Sequence, residues 1–203
     1  MIRPAHKFFL RLLAGLFIFL LQQNAYGQLS VAQQDAQSLV QNVLIGSGVT
    51  VNNISFSGRS VMLGRFNGSN SNIGLQSGII LSTGRIFDAI GPNNSASIGE
   101  DLSVGGYTLL QNLLGPDAKT QDAAILSFNF ICEGDKVQFK YVFASEEYPE
   151  YVGSEYNDVF GFFIQGPGIS GTQNIARIPG TSNVPVAINN VNQGSFPAYF
   201  FSK

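Results

Sequence analysis

Imidazole and thiol are almost missing from this chain. Of its 203 residues one is a histidine, His6, and one a cysteine, Cys132. His6 lies in a stretch that reads as an export signal and is expected to leave with it. The remainder then has no Ser-His-Asp or Cys-His machinery and no histidine-ligated zinc site. A lone cysteine excludes an intramolecular disulfide, so an exported chain must rely on its core or on bound ions for stability. Cys132 ends the apolar run SFNFIC beside a turn. It is expected there as a buried, inert thiol; a reactive or intermolecular thiol is the sharper alternative.

Basic charge is also sparse, and much of it sits at the start. Arg3, Lys7 and Arg11 form a positive segment, Leu12 to Leu21 an apolar one, and Ala25-Tyr26-Gly27 a small-residue cleavage site. The apolar segment is about ten residues, too short to cross a bilayer core of about 30 Å as a helix. A signal peptide over 1–27 is therefore expected, with an uncleaved anchor as the alternative. No cysteine follows that would mark a lipoprotein. The chain from Gln28 keeps 8 of the 11 basic residues and all 13 acids, a formal net charge of −5. That excess argues against nucleic acid and anionic membranes as partners. Residues 28–203 suit one domain with a sizeable core.

What is present is mostly a β pattern. Ser30 as a cap, with Gln33 three residues on, predicts a helix over 31–44 whose Ala32, Ala36, Leu39, Val40, Val43 and Leu44 share one face. Gly46 and Gly48 end it. VTVNNISFSG, SGIILSTG, AAILSFNF, KVQFKYVFAS, DVFGFFIQG and VPVAINNV follow as strand-like runs separated by Gly, Asn and Ser turns. In VQFKYVF, Val137, Phe139, Tyr141 and Phe143 share a face opposite Gln138 and Lys140, as in an antiparallel strand with one wet side. VFGFFIQ is apolar nearly throughout, as for a central strand covered on both faces. A second short helix is expected at 107–114, before Gly115-Pro116. The class expected is mainly β, an antiparallel β-sandwich or jelly-roll with one N-terminal helix and a short second one. The aromatic close, SFPAYFFSK, would leave an unpaired edge, so a C-terminally incomplete domain is expected.

The densest chemistry is at EEYPEYVGSEYND. Glu146, Glu147, Glu150, Glu155 and Asp158 fall within thirteen residues without a base among them. Such charges repel unless water, a cation or a basic partner compensates them. Carboxylates with amide oxygens suit calcium, and Glu146, Glu147, Glu150, Asn157 and Asp158 are its candidate ligands, Glu147 and Asp158 first. The spacing matches neither an EF-hand nor a calcium nonapeptide repeat. The plain alternative is a solvated acidic loop. A glycoside hydrolase would use two of these acids, but an exposed Gly/Tyr loop offers no apolar pocket to raise one pKa. Tyr148, Tyr151 and Tyr156 are candidate sugar-stacking contacts, or else packing over the rim. GPNNSASIG and GTQNIARIPG are Gly-rich but lack the lysine and the strand–turn–helix setting of a phosphate loop. The sequons at Asn53, Asn67 and Asn93 read as turns.

SGIILSTG, GPNNS, DAAILSFNF, YVFASEEYPEYV, YNDVFGFFIQGPG and NIARIPGTSNVPVAINNVN together resemble the choice-of-anchor L domain, over most of residues 40–195. YVFASEEYPE followed by YNDVFGFF is the specific part. The resemblance implies an exported, surface-associated bacterial protein, particularly of Bacteroidetes, in a family whose members carry different sorting or anchoring tails. A later acidic segment and a sorting tail of such proteins have no counterpart here. Location is implied more than mechanism. The expected role is a secreted or cell-surface, non-enzymatic adhesion or structural module stabilised by calcium. Its partner would be an extracellular protein or a glycan surface, with no membrane span after signal cleavage. The alternatives are a carbohydrate-binding module or, further off, a glycoside-active enzyme.

Overall fold

The computed structural model describes residues 28–93, 95 and 98–201. The expected signal peptide lies outside the described residues.

Strand β1 (Ser30–Gln33) pairs antiparallel with β3 (Leu63–Asn67), which pairs with β4 (Ser77–Leu81). This corrects the expected start of the first helix. Ser30 and Gln33 form no capping box, because their backbone is taken into the ladder opposite Asn67 and Gly64. Helix α1 is Ala36–Leu39 and continues as a π-helical turn, Val40–Leu44. Asp35 caps it, its Oδ1 accepting from the Ser38 N–H at 2.9 Å. The helical spacing did find the packed face, since Leu39 and Val40 are fully buried.

Strand β2 (Val49–Ser57) pairs with β5 (Ile125–Cys132), with a register shift between Asn52 and Ser55. Asn53 sits there at φ 53°, a left-handed conformation that asparagine tolerates better than most residues. The last two residues of β5, Ile131 and Cys132, are both exposed. The expected buried thiol is thereby corrected: at the end of the ladder an apolar neighbourhood in sequence no longer reports burial.

Helix α2 (Thr108–Leu114) ends at Gly115, as expected. The run VFGFFIQ is not one central strand. It divides into β6 (Val159–Phe160) and β7 (Phe163–Ile164), all four residues half-buried. β6 pairs with β9 (Val186–Ala187), and β7 with β8 (Gln173–Asn174). Two local features break the run. The Phe162 N–H donates to the Asn174 side-chain oxygen at 2.9 Å instead of to a strand. A Cβ at Gly161 would fall 2.5 Å from the Phe163 ring and 3.0 Å from Leu110, so the backbone passes where no side chain fits.

KVQFKYVFAS makes no ladder either. Its alternation survives in part: Val137, Phe139 and Phe143 are half-buried, Gln138 and Lys140 exposed, but Tyr141 is also exposed. Ring contacts of Phe139 with Phe162 (4.6 Å) and Tyr141 with Phe160 (5.0 Å) hold it against β6 and the residue before β7.

The class is as expected, mainly antiparallel strands with two short helices. Among the described residues the pairing forms four small sheets of two or three strands, which do not by themselves make the two faces of a sandwich. Leu39, Val40, Met62, Ile86, Ile178 and Ile188 are the largest fully buried side chains. No helix among the described residues is long and apolar enough to cross a membrane.

Candidate functional site

The acidic segment is a series of turns leading into β6. Ser145 stands at its entrance and joins its two ends. Its hydroxyl donates to Asp158 Oδ2 at 3.0 Å and accepts from the Glu147 N–H at 3.1 Å. The far side is docked on residues 188–191. The Ile188 N–H donates to the Asp158 carbonyl at 3.1 Å. Asn189 clamps three points: its N–H donates to Asn157 Oδ1 (3.0 Å), its Nδ2 to the Ser154 carbonyl (3.1 Å), and its Oδ1 accepts from the Gly153 N–H (2.6 Å). The Tyr148 hydroxyl donates to the Val191 carbonyl at 2.5 Å, and its ring packs on Phe200 at 5.0 Å.

This docking buries charge. Burial pushes the Glu147 carboxyl up to about 7, with the charges of Asp158 and Glu146 adding to the effect. Its Oε2 is buried without a hydrogen-bond partner among the described residues. Burial also raises Asp158, against the opposing hydrogen bond from Ser145. Glu146 is raised by burial first, then by the charges of Asp158 and Asp88, against a backbone hydrogen bond that lowers it. Burial, with Asp158, pushes the Tyr148 phenol up to about 12. The expectation that these acids lack surroundings able to raise a pKa is therefore overturned: turns that looked exposed in sequence are folded onto the 188–191 segment.

Three of the five candidate calcium ligands, Glu146, Glu147 and Asp158, come within electrostatic reach of one another. Glu150 is exposed, and so is Glu155. The Asn157 oxygen already accepts from Asn189. Among the described residues no three His, Cys, Asp or Glu side chains gather closely enough to hold a metal ion. The geometry thus offers two half-buried carboxylates and a hydroxyl, not a cage of acids. Of the candidate stacking residues, Tyr148 is engaged inside the fold. Tyr151 and Tyr156 meet edge to face at 5.3 Å, with Tyr156 57% exposed.

Sequence reasoning missed Asp88 and Ser145. Asp88 lies in a 3₁₀ turn, Ile86–Ile90, far from the loop in sequence yet near enough to raise Glu146. No local pattern could have found it. Ser145 directly precedes the acids, and a serine there as a hydrogen-bonding hinge was a legible signal.

The model of the choice-of-anchor L domain matches residues 28–202. The chain belongs to the choice-of-anchor L family. No curated protein and no solved structure matches it. Membership makes it a surface-associated type of domain. In this choice-of-anchor L domain two grooves among the described residues lie elsewhere than the acids. One is lined by Gln33, Asp35, Phe56 and Ser60, the other by Asn112, Asn174 and Arg177.

Proposed function

We propose that this choice-of-anchor L domain is an exported, surface-exposed and non-enzymatic contact or structural module, and that calcium compensates its Glu147–Asp158 pair. The observation that supports this reading is Glu147. Among the described residues its buried Oε2 has no partner and no base pairs with it, while the charge of Asp158, tied to the Glu147 backbone through Ser145, acts on it. Such a pair is stabilised either by a shared proton or by a cation. With two carboxylates, and neutral or water oxygens completing the shell, affinity falls in the range of extracellular calcium modules, about 10⁻⁴–10⁻³ M. The partner is an extracellular protein or a glycan surface.

The enzyme reading gains from a Glu147 pKa near 7, which suits a general acid. A glycosidase needs its second acid ionised, however, and burial works against the charged form of Asp158. The sugar-binding alternative rests on the exposed Tyr156 with Tyr151 against its edge.

Glu147→Gln separates these readings. If calcium is structural, the variant loses the calcium dependence of its melting temperature, and no polysaccharide is turned over by either protein. Turnover that vanishes in the variant while melting stays unchanged favours the enzyme. N-terminal sequencing of secreted protein should begin at or near Gln28, and an intact N-terminus on secreted material would overturn export by cleavage.

A further inference from the structure

A groove lies between α2 and the Thr172–Asn183 segment. It has a volume of about 590 Å³, and its lining includes Leu113 besides the polar Asn112, Thr172, Asn174, Arg177 and Asn183. Two backbone carbonyls fix the guanidinium: Nε donates to Asn174 at 2.6 Å and Nη1 to Ser182 at 2.8 Å. That uses two of its five N–H donors and leaves the Nη2 edge without a partner among the described residues. No carboxylate pairs with it either; among the described residues the ion pair formed is Arg85 with Glu100. The Asn112 and Asn183 carboxamides also make no hydrogen bond among the described residues. The Thr172 hydroxyl and the Gln173 and Asn174 carboxamides are engaged, donating to Gln165 Oε1 and to the Ser170 and Ala176 carbonyls.

We propose that this groove binds an acidic sugar residue, its carboxylate on Arg177 and its hydroxyls on Asn112 and Asn183. Three features point there. A guanidinium held in one orientation loses little side-chain entropy on binding, and its fork matches a carboxylate. Carboxamides both donate and accept, as vicinal hydroxyls require. Arg177 forms no ion pair among the described residues, so its charge is available to an anion. The site shares no residue with the acidic loop and goes beyond the calcium reading. The plain alternative is that Arg177 only fastens the Asn174–Ser182 turn.

Calorimetry of the full chain with trigalacturonate, in EDTA and low salt, tests this against the methyl-esterified trimer, the same sugar without charge. The acid should bind at least about tenfold more tightly than the ester. Arg177→Gln should abolish binding. Because that change also removes loop bonds, Asn183→Asp is the second variant: it spares Arg177's backbone contacts and sets a like charge beside the ligand. It should weaken binding by about tenfold at an unchanged melting temperature. No binding at millimolar trimer by folded protein, equal binding of acid and ester, or full binding by either variant would overturn the proposal. Running the titration without calcium keeps its outcome independent of the acidic loop.

Discussion

The Tyr148 hydroxyl and the Val191 carbonyl, 43 residues apart in sequence, are joined by a 2.5 Å hydrogen bond. Through it the acidic turns are fastened to the segment after β9. Tyr148 is therefore a fastening of the site. Tyr148→Phe should lower stability by about 0.5–1.5 kcal/mol in urea unfolding. Because the hydroxyl bond sits between the turns and Val191, the same variant should increase hydrogen exchange at Gly153 and Ile188. An unchanged exchange pattern would count against a fastening role.

Calcium should raise the melting temperature, and EDTA should reverse the rise. At ten times Kd, binding contributes about 1.4 kcal/mol, or about 3–6 °C for a chain of this size. Glu147→Gln and Asp158→Asn should each remove most of the response. Asp88 is no neutral control, since its charge reaches Glu146; Asp117, exposed in the turn after α2, serves instead. A response that survives Asp158→Asn would rule out the pair as the binding site.

In EDTA the sign of the pH dependence follows from the raised carboxyls. Glu147 titrates at about 7 when folded and near 4.5 when unfolded, so the folded state holds the extra proton between those values. Stability is then greatest below the unfolded value and falls as pH rises toward and through 7. Melting curves from pH 5 to pH 8 should show that decline, flattened in Glu147→Gln. A melting temperature that climbs over this range would contradict the buried-carboxyl geometry.

Ile188 connects the core to the site. Its side chain is fully buried, and its N–H donates to the Asp158 carbonyl. Ile188→Ala should cost about 2–5 kcal/mol by leaving a cavity. Chemical denaturation measures it; a loss below 1 kcal/mol would mean that this part of the core relaxes freely.

Local sequence was enough for features that depend on local physics. Gly115 ends α2 where the leucine spacing stops. Leu39 and Val40 fall on the face that packs. The five acids of the 146–158 segment were visible as a charge imbalance in the sequence itself. Tertiary structure decided what depends on partners far along the chain. Pairing with β3 drew Ser30–Gln33 out of a helix. The Asn174 side chain and Gly161 split VFGFFIQ between two ladders, although its composition suits one buried strand. Burial against residues 188–191, and the approach of Asp88, turned an acidic loop into raised carboxyls. Sequence counts charges but does not give their dielectric surroundings, and a pKa depends on those surroundings as much as on the count. The same holds for Arg177: its backbone clamp arises from the path of the 174–182 turn, which no residue in it specifies alone.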